Sequence, residues 1–268
     1  MNNPSPSFRL RSLLGACGRH DAPRLNNYCG FVGNSLACMT NQITHGDCVH
    51  ALRQLPDACA DLVVTDPPYL VRYRDRAGRS VPNDDNDHWM LPAFSELHRI
   101  LKPNSYCVCF YGWNKADRFL SVWRECGFRP IGHFVWVKGY ASKVGHTQMK
   151  HESAYLLAKG FPTYPTQPPP DVLPWKYTGN RLHPTQKPVE SLMPVIEAYS
   201  QPGSLVLDPF AGSGTTGVAA RQCRRRFLLI EKDAAYYRTA HRRLENISRQ
   251  KPCAPIVAQY ETPKNTRL

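Results

Sequence analysis

The order of apolar segments along this chain limits the folds that it can adopt. From Met39 onward, short apolar stretches that favour strands alternate with stretches of helical periodicity. Such alternation is typical of an α/β fold, in which helices cover both faces of a mostly parallel sheet. The sequence therefore predicts one α/β domain over residues 39–250, between a loose N-terminal extension, 1–38, and a polar C-terminal tail, 251–268.

The predicted elements follow from these patterns. Strands are predicted at residues 42–45, 61–65, 106–111, 132–137, 154–158, 204–208 and 226–231. Helices are predicted at residues 49–55, 90–101, 115–126, 189–199, 214–223 and 234–249. The Lys102-Pro103-Asn104 segment is expected to separate the second helix from the strand at Tyr106. Residues 160–179, rich in Pro, Thr and Tyr, show neither periodicity and are predicted to form an extended loop.

Composition narrows the classes of partner. The chain has 34 Lys and Arg against 21 Asp and Glu, which gives a formal net charge of +13. A basic excess of this size indicates either a polyanionic partner, most often nucleic acid, or a solvated basic surface. No apolar run approaches the roughly 18 residues of a membrane span, so the sequence predicts no membrane partner.

The ten cysteines form no pattern typical of a metal site. Their spacings are irregular and contain no C-x-x-C motif, which favours buried, reduced thiols over a disulfide framework or a zinc site. His151-Glu152 starts an H-E-x-x-H pattern, but Tyr155 stands where its second histidine belongs. We therefore expect no bound metal.

The segment Asp66-Pro67-Pro68-Tyr69 follows an apolar stretch that is predicted to be a buried strand. Proline cannot continue a sheet, and each residue before a proline is held in an extended conformation. The segment is therefore stiff, and it fixes one carboxylate, one backbone carbonyl and one aromatic ring at the carboxyl end of the strand.

A second motif combines a strand, a tight loop and a helix. Gly212, Gly214 and Gly217 satisfy the G-x-G-x-x-G pattern of dinucleotide sites, and Glu231 lies near the end of the next strand. Asp208, just before the loop, would repel a pyrophosphate and attract a cationic ligand. S-adenosylmethionine fits better, because it carries an ammonium and a sulfonium and no phosphate, and Glu231 can accept hydrogen bonds from its ribose hydroxyls. No Lys follows the glycines, which excludes a P-loop; a glycine-rich turn without a ligand is the alternative.

In this order, the two motifs resemble those of the beta-type amino-group DNA methyltransferases, in particular the adenine-N6 enzymes. In that family a D-P-P-Y motif precedes the target-recognition segment, and an F-x-G-x-G cofactor motif follows it. The segments HGDCVHAL, LHRILKPNSYCVCF and HPTQKPVESL resemble further family motifs, so the resemblance extends from about Gln42 to Leu244. It implies a Rossmann-like methyltransferase sheet with a circularly permuted motif order and a small target-recognition loop region. It also implies double-stranded DNA as substrate, S-adenosylmethionine as methyl donor and no metal.

The resemblance implies that Asp66, Pro67, Pro68 and Tyr69 are catalytic. An exocyclic aryl amine is a poor nucleophile because its lone pair is delocalised into the ring. The Asp66 carboxylate and the Pro67 carbonyl can accept its two N–H groups, which favours a more nucleophilic nitrogen and stabilises the positive charge that develops. The Tyr69 ring can stack on a base that has been turned out of the duplex.

The family motifs also imply a cofactor site. Its residues are Asp47, Cys48, His183, Thr185, Lys187, Asp208, Phe210, Ala211, Gly212, Ser213, Gly214, Thr215, Glu231 and Lys232. Within this set, Asp47 matches the residue that meets the adenine amine of the cofactor, and Lys187 can pair with the cofactor carboxylate.

The same resemblance implies DNA contacts in residues 139–182, which contain the target-recognition segments. The implied DNA-binding residues are Trp136, Lys143, Gln148, Lys176 and Arg181. Trp136 matches a position near the target base, and a position in the core is the alternative for it.

Two other functions stay open. A cytosine-N4 methyltransferase uses the same chemistry, but that family more often has Ser at the position of Asp66. A catalytically silent DNA-binding regulator would have no physical need for Asp66, Tyr69, Asp208 and Glu231. The resemblance further implies a cytoplasmic protein encoded by a bacterium, a phage or a mobile element. It leaves open a homodimer and a cognate restriction endonuclease encoded nearby.

Overall fold

The computed structural model of the protein describes residues 40–73, 78 and 83–248. The predicted extension, 1–38, and the predicted tail, 251–268, lie outside the described residues. The described part of the chain contains the strands β1 (Gln42–His45), β2 (Ala60–Thr65), β3 (Leu101–Phe110), β4 (Arg129–Lys138), β5 (Lys143–Val144), β6 (Gln148–Met149), β7 (His151–Lys159), β8 (Val172–Trp175), β9 (Leu205–Asp208) and β10 (Arg226–Glu231). Its helices are α1 (Cys48–Leu52), α2 (Met90–Ile100), α3 (Ala116–Glu125), α4 (Val189–Tyr199), α5 (Thr215–Gln222) and α6 (Ala234–Ser248).

Eight strands form one sheet in the order β1-β10-β9-β2-β3-β7-β4-β8. The five strands from β1 to β3 are parallel, β7 is antiparallel to both of its neighbours, and the edge strand β8 is parallel to β4. The prediction of a mostly parallel α/β sheet is therefore confirmed. β9 and β10 come last in the chain and yet lie between β1 and β2, which agrees with a circularly permuted motif order. This order brings the carboxyl ends of β2, β9 and β10 side by side.

Helices cover both faces of the sheet. On one face α5 contacts α4 and α6, and on the other α2 contacts α1 and α3. Because successive side chains of a strand point to opposite faces, Leu62 and Val64 of β2 join the core cluster that includes α4 and α5. Val63 between them points to the opposite layer. There, Phe94 of α2 packs edge-on against Trp123 of α3, with 6.0 Å between the ring centroids.

Two predicted boundaries were wrong, and both involve prolines. Residues 160–179 are not entirely a loop, because β8 lies within them and pairs with β4. Pro174 is tolerated in β8 because an edge strand leaves some of its N–H groups without a strand partner. β3 begins at Leu101, directly after α2, so Lys102-Pro103-Asn104 belongs to the strand rather than to a separate linker.

The remaining predicted strands and helices coincide with observed ones to within a few residues. The six cysteines of the described residues are free thiols and five of them are buried, which confirms the prediction for this part of the chain. Among the described helices, none combines the length and the apolar character that a membrane crossing requires.

Candidate active site

The carboxyl ends of β2, β9 and β10 border a cleft that opens to solvent. Its walls include the D-P-P-Y segment, residues 66–69, and the glycine loop, residues 209–213. The end of β10 and residues 183 and 185–187 before α4 also line it. We call this space the central cleft. Ligands of parallel α/β sheets bind at the carboxyl ends of the strands, so the central cleft is the candidate active site.

The glycine loop turns sharply between β9 and α5. Gly212 and Gly214 have φ angles of 52° and 77°, in the left-handed region that favours glycine. Gly217 lets α5 approach β10, because a Cβ atom at this position would lie only 2.7 Å from the Leu229 side chain. The three glycines therefore serve the tight turn and the close helix packing that the G-x-G-x-x-G pattern predicts.

Asp208 ends β9 and is buried at the start of the glycine loop. Its Oδ1 accepts the Thr65 hydroxyl at 3.0 Å and the Phe210 N–H at 3.1 Å, and its Oδ2 accepts the Thr216 hydroxyl at 2.6 Å. Burial raises the pKa of this carboxyl to about 6, because desolvation outweighs the three donors. Asp208 thus holds the loop in place, and its carboxyl group becomes charged as the pH rises through about 6.

Glu231 ends β10 on the neighbouring strand. Its two oxygens accept the N–H groups of Gly212 and Asp233, both at 2.7 Å. Burial raises the pKa of Glu231 to about 7, again because desolvation outweighs the hydrogen bonds. The adjacent Lys232 ammonium lies 3.3 Å from the Asp47 carboxylate at the mouth of the cleft.

Both carboxylate oxygens of Asp66 have partners within the protein. The Tyr69 hydroxyl donates to Oδ1 at 2.6 Å, and the Lys187 ammonium donates to Oδ2 at 2.5 Å. Burial raises the pKa of Asp66, and Lys187 acts in the opposite direction. Burial lowers the pKa of Lys187, but the attraction of Asp66 and Glu152 outweighs it, so that this pKa is raised. Each ion of the pair therefore favours the charged form of the other.

Most predicted site residues line the central cleft. All four residues of the D-P-P-Y segment do so, together with Cys48, His183, Thr185, Lys187, Asp208, Phe210, Ala211, Gly212, Ser213, Thr215, Glu231 and Lys232. Two predicted cofactor residues are not among the described residues that line it. Asp47 instead caps α1 by accepting the Val49 N–H at 3.0 Å. Gly214 faces α6, where an added Cβ would lie 3.0 Å from the Ala240 Cβ.

The predicted contact between Trp136 and a target base was wrong. The Trp136 ring is fully buried, and its indole N–H donates to the Ser191 carbonyl of α4 at 2.9 Å. The alternation of β4 directs this side chain into the core beneath α4, where a DNA base cannot reach it. Trp136 is therefore a core residue, the alternative that its apolar strand allowed.

The other four predicted DNA-binding residues are exposed. Lys143 and Gln148 lie on β5 and β6, which form a two-stranded hairpin with Val144 paired to Gln148. Lys176 and Arg181 follow β8. All four are accessible to a large partner.

Asp84 lines the central cleft and was not predicted. It is 3% exposed, and its carboxylate accepts the N–H groups of Val71 at 3.2 Å and Tyr73 at 2.6 Å. Asp84 thereby fixes the chain that follows the D-P-P-Y segment. The only sequence signal is an Asn- and Asp-rich stretch, which is typical of a turn.

Comparison with known proteins assigns the family. Residues 60–242, which contain both motifs, match the DNA methylases of the N6/N4 type. The chain belongs to this DNA methylase family. It is 49% identical to "Putative methylase YubD" of Escherichia coli (strain K12). The alignment spans 209 residues and covers 78% of this chain and 92% of that protein. It is also 24% identical over 246 residues to the type II methyltransferase M.BglII of Bacillus subtilis, over 75% of this chain and 68% of the relative.

Solved structures agree with this DNA methylase fold. The M1.HpyAVI–SAM complex matches with a TM-score of 0.61 at 25% identity, over 76% of this chain and 98% of the other. The PvuII DNA methyltransferase, which is cytosine-N4-specific, matches with a TM-score of 0.63, over 77% and 90% of the two chains. Its 20% identity establishes a shared fold alone. The protein is therefore a DNA methyltransferase of the N6/N4 type.

Proposed function

We propose that this methylase transfers a methyl group from S-adenosylmethionine to the N6 amino group of adenine in double-stranded DNA. The observation that carries the proposal is the position of Asp66 at the end of β2, where it lines the central cleft next to Asp208 and the glycine loop. An aspartate at this position favours adenine over cytosine, because cytosine-N4 enzymes more often have Ser there.

The charges of the central cleft fit a cationic cofactor. Among the described residues that line it are four acids and two lysines paired with carboxylates: Asp66, Asp84, Asp208, Glu231, Lys187 and Lys232. A pyrophosphate would meet excess negative charge there, whereas the ammonium and sulfonium groups of S-adenosylmethionine would be attracted. Glu231 would accept hydrogen bonds from the ribose hydroxyls, and Asp208 would face the positive charge. When bound, this cofactor supplies an electrophilic methyl group.

Asp66 and Pro67 act on the target amine. Each carboxylate oxygen has two lone pairs, and each oxygen of Asp66 has one hydrogen-bond donor at 2.6 Å or less, so each keeps a lone pair for an amine N–H. The Pro67 carbonyl accepts the second N–H group. Positive charge that develops on the nitrogen is then stabilised by a carboxylate held in advance by Tyr69 and Lys187.

The exposed hairpin of β5 and β6 supports contact with DNA. Lys143 offers a positive charge and Gln148 a donor and an acceptor on the same hairpin. Lys176 and Arg181 add two cations after β8. We propose that these residues contact the duplex, with the lysines at phosphates and Gln148 at base edges.

The chemical identity of the product tests the proposal. Plasmid DNA from a methylation-free host is incubated with the protein and S-adenosylmethionine, digested to nucleosides and analysed by mass spectrometry. We expect N6-methyldeoxyadenosine. Asp66→Ala should lower the rate by about 10²–10³, the typical cost of one such electrostatic group, while binding of S-adenosylmethionine in calorimetry changes little.

Other products would contradict the proposal in distinct ways. N4-methyldeoxycytidine would assign the protein to the cytosine branch of the family. No methylated base together with retained DNA binding would assign it to the silent regulators. Asp66→Ala with wild-type activity would remove Asp66 from the chemistry.

A further inference from the structure

A row of alternating charges runs from the central cleft to the antiparallel part of the sheet. It consists of Asp66, Lys187, Glu152 and Lys138, and we call it the ion chain. Lys187 lies 2.5 Å from Asp66 Oδ2 and 4.0 Å from Glu152 Oε2. The other Glu152 oxygen, Oε1, accepts a hydrogen bond from the Lys138 ammonium. The four charges sum to zero.

Glu152 is held by regular strand pairing. It lies on β7 directly opposite Trp136 of β4, and Lys138 is two residues further along β4. Cross-strand positions of this kind hold side chains close together on one face of a sheet. Asp66 and Lys187, in contrast, follow β2 and precede α4 in irregular segments. Glu152 is thus a strand-held anchor for Lys187, with 4.0 Å between its Oε2 and the ammonium.

Lys187 needs that anchor because it is almost inaccessible to water, with 7% of its side chain exposed. Lys138 is 5% exposed, and its ammonium lies 5.2 Å from the centre of the Trp175 ring. An ammonium that cannot be hydrated must be compensated by carboxylates or aromatic faces. Without Glu152, Asp66 would be the one carboxylate among the described residues within 4.0 Å of the Lys187 ammonium, beside the rings of Phe110 and Tyr69 at 4.9 and 5.5 Å.

The surroundings of Asp66 define what Glu152 can change. The titratable groups that act on it or respond to its charge come from five segments: Tyr69, Cys109, Glu152, Lys187 and Asp208. Of these, Lys187 alone is a cation. The Glu152 carboxylate attracts the same ammonium from 4.0 Å, which opposes a closer approach of that ammonium to Asp66. Sharing by Glu152 therefore leaves Asp66 a better acceptor.

From this geometry we infer that Glu152 is a positioning residue for methyl transfer. It holds Lys187 between two carboxylates. The ammonium then compensates the charge of Asp66, while Asp66 can still accept a hydrogen bond from the target amine. The inference rests on the proposed function, in which Asp66 faces that amine. Glu152 itself is not among the described residues that line the central cleft, so it acts through Lys187.

The test compares Glu152→Gln with the wild type in single-turnover methylation of plasmid DNA, using saturating tritiated S-adenosylmethionine. The variant should react about tenfold more slowly at neutral pH, a smaller loss than the 10²–10⁴-fold expected for a group that contacts the reacting atoms. The Kd for S-adenosylmethionine, measured by calorimetry, should stay within about twofold of wild type, because no residue that lines the central cleft is removed.

The pH profile separates this role from a purely structural one. The negative charge of Glu152 raises the pKa of Asp66, so its removal lowers that pKa. Any transition of the rate profile that is due to Asp66 should therefore shift to lower pH in Glu152→Gln, while the transitions of Asp208 and Glu231, whose pKa values are raised to about 6 and about 7, should stay in place. Carbon-13 NMR of aspartate-labelled protein without any ligand, with Asp66→Asn to assign the signal, should detect the same downward shift.

Glu96→Gln is the matched control. Glu96 is as exposed as Glu152, at 20% against 21%, and it also pairs with a cation, Arg99 at 2.6 Å, but on α2 away from the ion chain. Its replacement should change neither the methylation rate nor the pH profile. An equal effect of both variants would overturn the inference.

A second variant covers the case in which Glu152→Gln is unstable because Lys138 loses its partner. In Glu152→Gln combined with Lys138→Met, the uncompensated cation is removed and thermal stability should recover. The tenfold rate loss and the downward pH shift should persist, since Lys187 still has only Asp66. Recovery of the wild-type rate and profile would show that Glu152 merely compensates Lys138, and would overturn the inference.

Failure of the proposed function has a different signature. In that case the wild-type protein either forms N4-methyldeoxycytidine, for which the same rate comparison applies, or methylates no DNA, so that no rate comparison exists. The NMR titration still decides whether Glu152 controls the proton affinity of Asp66. An unchanged Asp66 titration in Glu152→Gln would overturn the inference whatever the activity.

Discussion

Asp66, Asp208 and Glu231 lie at the carboxyl ends of three adjacent strands, but their surroundings give them different properties. Asp66 is compensated by the buried Lys187. Among the described residues, the hydrogen-bond donors to Asp208 are neutral, two hydroxyls and one N–H group, and burial raises its pKa to about 6. Glu231 has two N–H donors and a pKa raised to about 7. A cationic ligand would therefore meet one carboxylate that is already paired with a lysine. It would also meet two carboxyl groups whose ionised forms its charge favours.

Binding of S-adenosylmethionine should depend on pH through Glu231. Burial raises the pKa of Glu231 to about 7, whereas a cationic ligand favours the ionised form. Below pH 7 the ligand must therefore displace a proton, and its association constant should fall by up to about tenfold per pH unit. Calorimetric titration of the protein with S-adenosylmethionine between pH 5.5 and 8.5 measures this dependence.

Glu231→Gln should bind more weakly at pH 8 and lose the dependence near pH 7, leaving the lower transition of Asp208 near pH 6. Glu245→Gln, a change at an exposed position on α6, should behave as wild type. A Glu231→Gln profile that coincides with the wild-type profile would mean that Glu231 does not titrate in this range.

At the level of elements, the position of the D-P-P-Y segment depends on the end of β3. Gly112, two residues beyond β3, packs against this segment without a side chain. A Cβ atom at Gly112 would lie 3.0 Å from the Tyr69 Cβ and 3.1 Å from the Tyr69 carbonyl oxygen. Backbone atoms cannot give way as a flexible side chain can, so the turn after β3 determines where Tyr69 and Asp66 lie.

Gly112→Ala should therefore impair catalysis more than folding. We expect a methylation rate lower by about tenfold or more, because small displacements of reacting groups are costly, with only a modest fall in the thermal unfolding midpoint. Gly132→Ala is the control, since its Cβ would meet the Leu156 Cβ at 3.3 Å, on β4 rather than at the D-P-P-Y segment. Equal rate losses in the two variants would contradict a specific effect on the D-P-P-Y segment.

Patterns within short stretches of the sequence predicted those strands and helices that such stretches alone define. The bounds of β1, α4 and β10 agree with their predicted ranges, since apolar periodicity alone defines them. β8 was missed because a four-residue edge strand containing Pro174 lacks a clear alternation. Asp66, Asp208 and Glu231 lie near one another because β2, β9 and β10 are adjacent parallel strands that end on the same side.

Contacts between distant segments could not be predicted in the same way. Lys187 pairs with Asp66 across 121 positions of the sequence, and nothing local distinguishes this partner from a cofactor carboxylate. The position of the Trp136 side chain could not be predicted, because the sequence of an apolar strand does not show which of its faces is buried in the assembled sheet. Asp84 resembles any turn aspartate until Val71 and Tyr73 are near it.

On the scale of the whole molecule, the two edges of the sheet differ. The first edge, β1, packs against α6. The opposite edge carries β4, β7 and β8, and the β5–β6 hairpin lies in the connection between β4 and β7. This second edge combines exposed cations, such as Lys143 and Lys176, with exposed apolar side chains such as Val144 and Tyr177. The net charge of +13 should attract DNA to the protein as a whole. The contacts proposed above lie at this second edge.

Salt dependence distinguishes contact residues from the general charge. DNA affinity should fall linearly with salt on a logarithmic scale, with a slope of about −0.9 for each phosphate contact. Lys143→Ala on the hairpin should reduce the magnitude of that slope by about one and weaken binding to all sequences alike. Gln148→Ala should leave the slope unchanged and broaden the set of methylated sites, because an amide recognises bases rather than phosphate charge.

Arg242→Ala, which removes an exposed cation on α6 next to the β1 edge, is the control and should change neither the slope nor the methylated sites. Filter binding between 50 and about 300 mM salt and sequencing of methylated plasmid measure the two effects. If Arg242→Ala lowered the slope as much as Lys143→Ala, DNA would be attracted by the overall charge and the hairpin would have no privileged contact.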